Sequence, residues 1–183
     1  MKLNYGLLLL SLIASAAMAT ETPDYQVLST EGKFELREYP ALAIVRTASG
    51  DGDFMRLFRY ISGQNATEEK IAMTAPVLVQ RQGESEGMSF IMPGEMTTSG
   101  VPAPENKGLT IDTIPPGRFA VYRFSGWQTE KNEKEALAAL LTWMQKSGLK
   151  PEGTPYFGYY DPPWIPGFFR RNEVMLRLPP PAP

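Results

Sequence analysis

Apolar and polar residues alternate through Phe34-Glu35-Leu36-Arg37-Glu38-Tyr39, the period-two pattern of a strand with one buried face. Pro40 breaks it, and a more apolar run over 42–48 predicts a second strand, closed by Ser49-Gly50-Asp51-Gly52. Before them, 25–28 is a short strand candidate, Glu31-Gly32-Lys33 a turn, and 20–24 a disordered lead-in. The period then changes. Phe54, Leu57, Phe58 and Ile61 fall at i, i+3, i+4 and i+7, which predicts a helix with one apolar stripe, capped by Asp53 and stopped near Gly63. Strands follow at 77–80 and 88–92 around a turn at 83–87, and Pro, Gly, Ser and Thr over 93–108 read as a connector.

The second half repeats this grammar. Residues 109–114 alternate, Pro115-Pro116-Gly117 turns, and 118–124 forms the next strand. Pro40, Val45, Ser49 and Gly50 recur as Pro116, Val121, Ser125 and Gly126, an offset of 76 residues. A helix over about 132–147 carries Leu137, Leu140, Leu141 and Met144 on one stripe, with Asn132 and Glu135 as a capping box and Gly148 as its stop. Strands at 156–160 and 173–178 complete the half. The two halves, about 25–93 and 109–178, are ββαββ units. Neither helix can bury its stripe alone, so the pattern predicts one α+β domain over 20–178: a distorted antiparallel β-barrel of two pseudo-symmetric repeats flanked by two helices. Residues 179–183 form an extended Pro-rich tail.

The connection before the last strand departs from ordinary loop chemistry. Seven aromatics lie between Tyr156 and Phe169, and Pro162, Pro163 and Pro166 exclude helix and central strand alike. Trp164, Ile165, Phe168 and Phe169 make this loop apolar, where loops are mostly polar. It either folds back as a lid over the core or offers an apolar wall to a ligand. Arg170 and Arg171 follow at once, and an apolar wall beside two guanidinium groups suits a flat, apolar ligand with carboxylates. Arg56 and Arg59, off the first helix stripe, read first as a solvated face.

Composition narrows the chemistry. Lys2, the short apolar run over 7–14 and Ala17-Met18-Ala19 make residues 1–19 a secretory signal peptide, cut after Ala19. The mature protein is then expected in the periplasm or secreted, with no further membrane-crossing segment. Loss of Lys2 leaves 17 basic and 20 acidic side chains, which argues against a nucleic-acid partner. There is no cysteine and no histidine. That excludes a conventional zinc site, Ser-His-Asp and Cys-His machinery, and histidine ligation of haem iron.

Lys70-Ile71-Ala72-Met73-Thr74-Ala75-Pro76-Val77, Tyr160-Asp161-Pro162-Pro163 and Arg170-Arg171-Asn172-Glu173-Val174 resemble the SOUL haem-binding protein family, and 25–28 and 34–40 match its opening strands. The resemblance spans about 25–178. It implies a distorted antiparallel barrel with two helices and a monomeric tetrapyrrole carrier rather than an enzyme. It places the ligand between the first helix, at Phe54, Met55, Leu57, Phe58 and Arg59, and the late loop, at Tyr159, Tyr160, Pro162, Pro163, Trp164, Ile165, Phe168, Phe169, Arg170 and Arg171. In some members a histidine ligates iron. Without one, haem or metal-free porphyrin is expected to bind by burial of the macrocycle and pairing of its carboxylates with arginine, with a tyrosine or methionine as the remaining axial donor. The fold also resembles the GyrI-like small-molecule-binding and hydrolase group. That alternative is a hydrolase of apolar electrophiles using Glu173 and Tyr160, although Glu173 reads more simply as a partner of Arg170 or Arg171.

Overall fold

The structure, a computed structural model, describes residues 20–47, 53–81 and 87–180. The signal peptide expected over 1–19, the turn at 49–52, most of that at 83–87 and the end of the tail lie outside the described residues. The elements run β1 (Gln26–Glu31), β2 (Phe34–Tyr39), β3 (Leu42–Thr47), α1 (Asp53–Ile61), β4 (Val77–Gln80), β5 (Gly87–Ile91), β6 (Leu109–Ile114), β7 (Gly117–Phe124), α2 (Glu130–Lys146), β8 (Glu152–Tyr159) and β9 (Asn172–Arg177). This is the expected α+β order. β8 starts four residues earlier than its pattern suggests and accommodates Pro155 at an irregularity between Glu152 and Tyr156.

All nine strands join one antiparallel sheet in the order β1-β2-β7-β9-β8-β4-β5-β3-β6. The sheet does not close: β1 and β6 are its edges. It curls nonetheless, because Tyr39 of β2 and Ile114 of β6, near opposite ends of the order, share one apolar cluster with Ile44, Leu78, Ile91, Phe119, Val121 and Met175. Without β1, the order is unchanged when β2–β5 are exchanged with β6–β9 and the sheet is read backwards.

Both helices cover the outer face, and their buried stripes differ from the sequence pattern. On α1, Leu57, Tyr60 and Ile61 pack against Ala43, Val45, Phe90 and Met92, while Phe54 and Phe58 stay exposed. Burying Tyr60 is made possible by its hydroxyl, which donates to the Pro102 carbonyl at 2.6 Å. On α2, the buried line is Glu133, Ala136, Leu140 and Met144, while Leu141 is 39% exposed. The small Ala136 lets the helix approach β7 and β9 closely, and Leu141 sits one residue, about 100°, around from Leu140. The N-cap is Thr129, whose hydroxyl accepts from the Asn132 amide at 3.2 Å. Asn132 itself donates to the Trp127 carbonyl at 2.8 Å rather than capping.

The lead-in at 20–24 is ordered. Glu21 bridges to Thr74, its carbonyl accepts from the Ala75 amide at 2.7 Å, and its carboxylate accepts from the Gly94 amide at 2.8 Å. Pro23 and Tyr25 thereby cross the inner face. Pro23 helps line a cavity of about 20 Å³ with Tyr39, Phe119, Tyr156 and Met175, space for a single water.

Candidate functional site

The β8–β9 loop begins where two antiparallel strands part and is held open by its own hydrogen bonds. The Tyr160 amide donates to the Arg171 carbonyl at 3.3 Å across the stem. The Asp161 carboxylate accepts from the Arg171 amide at 2.6 Å. Beyond that stem, Pro166 leads into a single 3-10 turn, Gly167–Phe169. The apolar side chains do not fold inward. Trp164 is 79% exposed, and Phe168 and Phe169 are each 72% exposed, with ring centroids 4.3 Å apart. Pro163 is exposed, and Pro162 and Ile165 are half-buried. The lid over the core is therefore not what forms; the loop presents an apolar surface.

Its base rests on residues the sequence pattern did not mark. The Arg170 guanidinium lies 4.2 Å from the centre of the Trp127 ring, donates through Nε to the Ile165 carbonyl at 2.7 Å, and also bonds the Pro163 carbonyl. The Gly126 amide donates to the Gly167 carbonyl at 2.9 Å. Gly167 is required there, since a Cβ would stand 2.9 Å from the Trp127 indole nitrogen. A tryptophan just before the N-cap of a helix, in a Ser-Gly-Trp turn, was the available signal.

The second surface is the solvent side of α1. Phe54 and Phe58 stack with centroids 6.1 Å apart and planes 12° from parallel, and Phe54 also meets Phe90 edge-on at 5.4 Å. Met55 and Arg59 are exposed beside them. Leu57 belongs to the core instead and offers no surface to a ligand. Segment 71–76 links the two surfaces. The Ile71 amide donates to the Ile61 carbonyl at the end of α1, and Pro76 lies against Gly158 at the end of β8. Among the described residues no hydrogen bond or ring contact joins α1 to the loop directly.

Beneath the loop lies a buried ionic cluster. Arg37 and Glu173, both fully buried, form a bidentate pair at 2.8 and 3.0 Å. Arg37 also donates to Glu35 at 2.7 Å and to the Tyr39 hydroxyl at 3.0 Å, and lies over the Tyr25 ring. Glu173 further accepts from Arg171 at 2.8 and 3.1 Å and from the Tyr160 hydroxyl at 2.8 Å. Burial alone would raise the Glu173 pKa, but the Arg37 and Arg171 hydrogen bonds and charges outweigh it and hold the carboxyl down at about 2. Burial, reinforced by the Glu173 charge, drives the Tyr160 phenol well above its ordinary range, and burial pushes Tyr39 up to about 12. Tyr159 shifts the same way through burial and its hydrogen bond to Glu133, which Arg81 also grips at 2.8 and 3.0 Å.

These contacts reassign several expected ligand groups. Arg170 and Arg171 are consumed by loop carbonyls and by Glu173, so neither stands ready for a ligand carboxylate. Glu173 is ionised and saturated, which is the chemistry of a structural anion rather than of a base that activates water. Tyr159 and Tyr160 donate their phenolic protons internally, so neither is poised as a tyrosinate. Among the described residues no cluster of His, Cys, Asp or Glu could hold a metal ion.

The SOUL heme-binding protein family matches residues 20–177. The chain belongs to that family. This SOUL protein is 28% identical to human Heme-binding protein 2, over 88% of each chain. Among solved structures it resembles a hydrolase from Listeria innocua, with a TM-score of 0.59 at 11% identity over 83% of this chain and 94% of that one. The C-terminal domain of EcmrR superposes with a TM-score of 0.56 at 13% identity, over 85% and 98% of the two chains. At those identities the SOUL protein shares a fold with both. The expected α+β architecture is therefore common to this family and to the hydrolase.

Proposed function

We propose that the protein is an exported carrier that holds haem or metal-free porphyrin non-covalently and without a histidine ligand. One observation carries the reading: a member of this family presents stacked Phe54 and Phe58 on α1, and Trp164, Phe168 and Phe169 on a braced loop, to solvent. These aromatics fit a flat, apolar macrocycle. Arg59 is exposed and enters no ion pair among the described residues, so carboxylate pairing falls to it rather than to Arg170 or Arg171. The thioether of exposed Met55 is the axial donor nearest these rings in sequence. The saturated Glu173 gives the hydrolase alternative no support. The symmetric strand order supports two related halves.

Titrating haemin and metal-free protoporphyrin against tryptophan fluorescence tests this reading. The expected dissociation constants are roughly micromolar for both, about −8 kcal/mol. Iron contributes little where no strong axial donor exists. Trp164→Ala is expected to weaken binding by removing stacking area, and Arg59→Ala to weaken it less, because an exposed charge pair contributes little. Failure of both compounds to saturate the signal would sink the proposal. Tight binding of haemin alone would overturn the ligand-free account and make Met55→Leu the decisive variant.

Export rests on the signal pattern over 1–19. Mass spectrometry of protein from the exported fraction is expected to find Thr20 at the N-terminus, and an intact Met1 there would refute cleavage.

A further inference from the structure

We infer that the β8–β9 loop is also a membrane-docking element, which inserts Trp164, Phe168 and Phe169 into the interfacial region of a lipid bilayer. The argument starts from its backbone. In hydrocarbon a peptide group without a partner costs several kcal/mol, so a loop that enters lipid must satisfy its own polar groups. This loop does so in part, through three of its own amides and one folded-back arginine. Pro162, Pro163 and Pro166 have no amide proton to satisfy. The amides of Ile165, Phe169 and Arg170 donate to the carbonyls of Pro162, Pro166 and Gly167 at 3.0–3.1 Å. The carbonyls of Pro163 and Ile165 are taken by the Arg170 guanidinium, folded back beneath the aromatics instead of reaching into solvent. A solvent-facing loop gains little from such internal accounting, since water would serve each group.

The side chains agree with the backbone. The three rings at the tip are more than 70% exposed, so they meet little of their own protein. Trp127, also exposed, sits at the base under Arg170, which places a second indole and a cation nearer the headgroup level. Tryptophan is enriched at that interface because its ring is apolar and its N–H polar. Charge is consistent as well. From Pro162 to Asn172 the chain carries two arginines and no acid, and the flanking Asp161 is occupied by the Arg171 amide. Such a segment meets lipid phosphates without repulsion. Among the described residues no helix is long and apolar enough to cross a membrane, so docking is peripheral.

This inference needs no porphyrin, and its test contains none. The full chain is titrated with phosphatidylcholine vesicles whose acyl chains are brominated, and with unbrominated vesicles as reference. Bromine quenches only indoles that reach the acyl region, so attachment through residues 1–19 leaves the loop silent. The expected result is bromine-dependent quenching that disappears in Trp164→Ala. Phe168→Ser with Phe169→Ser keeps Trp164 as reporter and is expected to raise the lipid concentration for half-quenching by roughly a hundredfold, about tenfold per ring withdrawn from the apolar phase. These side chains are exposed, so unchanged far-ultraviolet circular dichroism should accompany the loss. Equal emission from the two kinds of vesicle, or quenching that survives the double substitution, overturns the proposal and leaves the loop to a protein partner or to the tetrapyrrole.

Discussion

Glu173→Gln is expected to destabilise the folded chain by about 3–5 kcal/mol at neutral pH, because it leaves the fully buried Arg37 guanidinium without its bidentate counter-charge. The amide keeps the shape of the carboxylate, so the loss reports charge and hydrogen bonding and not a cavity. The effect also has a defined pH dependence. The folded carboxyl is held at about 2, below the ordinary value of 4.5. A depressed carboxyl contributes stability that is fully present above its unfolded pKa and disappears as pH falls through the folded one. The wild-type chain therefore loses about 3 kcal/mol from this group between those two values, whereas the glutamine variant has nothing to lose there. Urea unfolding at neutral pH and near pH 2 measures both. A gap between the two proteins that stays the same size at the two pH values would disprove the assignment.

The same pair explains how an apolar loop can project from a sheet without collapsing. Arg171 and Tyr160 stand at the two stems of the loop and both bond Glu173. Arg37 anchors Glu173 from β2, two strands away across the intervening β7. The stems are thus fixed by charge from below, and Arg170 and Trp127 brace the tip from the side. Rigid support of this kind keeps the aromatics outside without paying their ordering entropy when a ligand or a surface arrives.

Much of this fold is legible in the residues alone, for a local reason. Phe34–Tyr39 alternates because one strand face must meet α2 and the other the interior, and the strand falls where the alternation does. The unusual composition of 162–169 likewise points to a surface of interest. The ionic cluster was legible only in its local part, the pairing of Glu173 with Arg171; the place of Arg37 in it was not. Arg37 is 136 residues from Glu173, and nothing local distinguishes it from a solvated arginine on an alternating strand. Only the pairing of β2 with β7, and of β7 with β9, brings Arg37 and Glu173 together on one face of the sheet, across the intervening β7. Arg170 and Arg171 were visible but misassigned, since sequence gives the charge and not the acceptors that consume it. The helix stripes held at Leu57, Ile61, Leu140 and Met144 and departed at Phe54, Phe58 and Leu141 for a subtler reason. Leucine and phenylalanine at i, i+3 and i+4 define a wide apolar arc, and tertiary packing selects one edge of it.

That selection makes the last prediction, on α2. Leu140→Ala is expected to cost about 2–5 kcal/mol, because Leu140 has no exposed surface and lies among Ala120, Phe124, Phe157, Val174 and Leu176. Leu141→Ala, at the neighbouring position, removes the same atoms from a side chain that is 39% exposed. Solvent already reaches it and no closed cavity forms, so its cost should be about 1 kcal/mol or less. The sequence pattern alone ranks the two positions equally. Chemical denaturation of the two variants under one condition separates the readings. Equal midpoints, or a larger loss at Leu141, would mean that α2 lies on the sheet with a different face. The stripe of Glu133, Ala136, Leu140 and Met144 would then be wrong. Glu133 extends the same test, since its salt bridge to Arg81 and hydrogen bond from Tyr159 fix that face above β4 and β8. Glu133→Ala combined with Leu140→Ala should cost more than either alone, because both hold one face of α2 to the sheet.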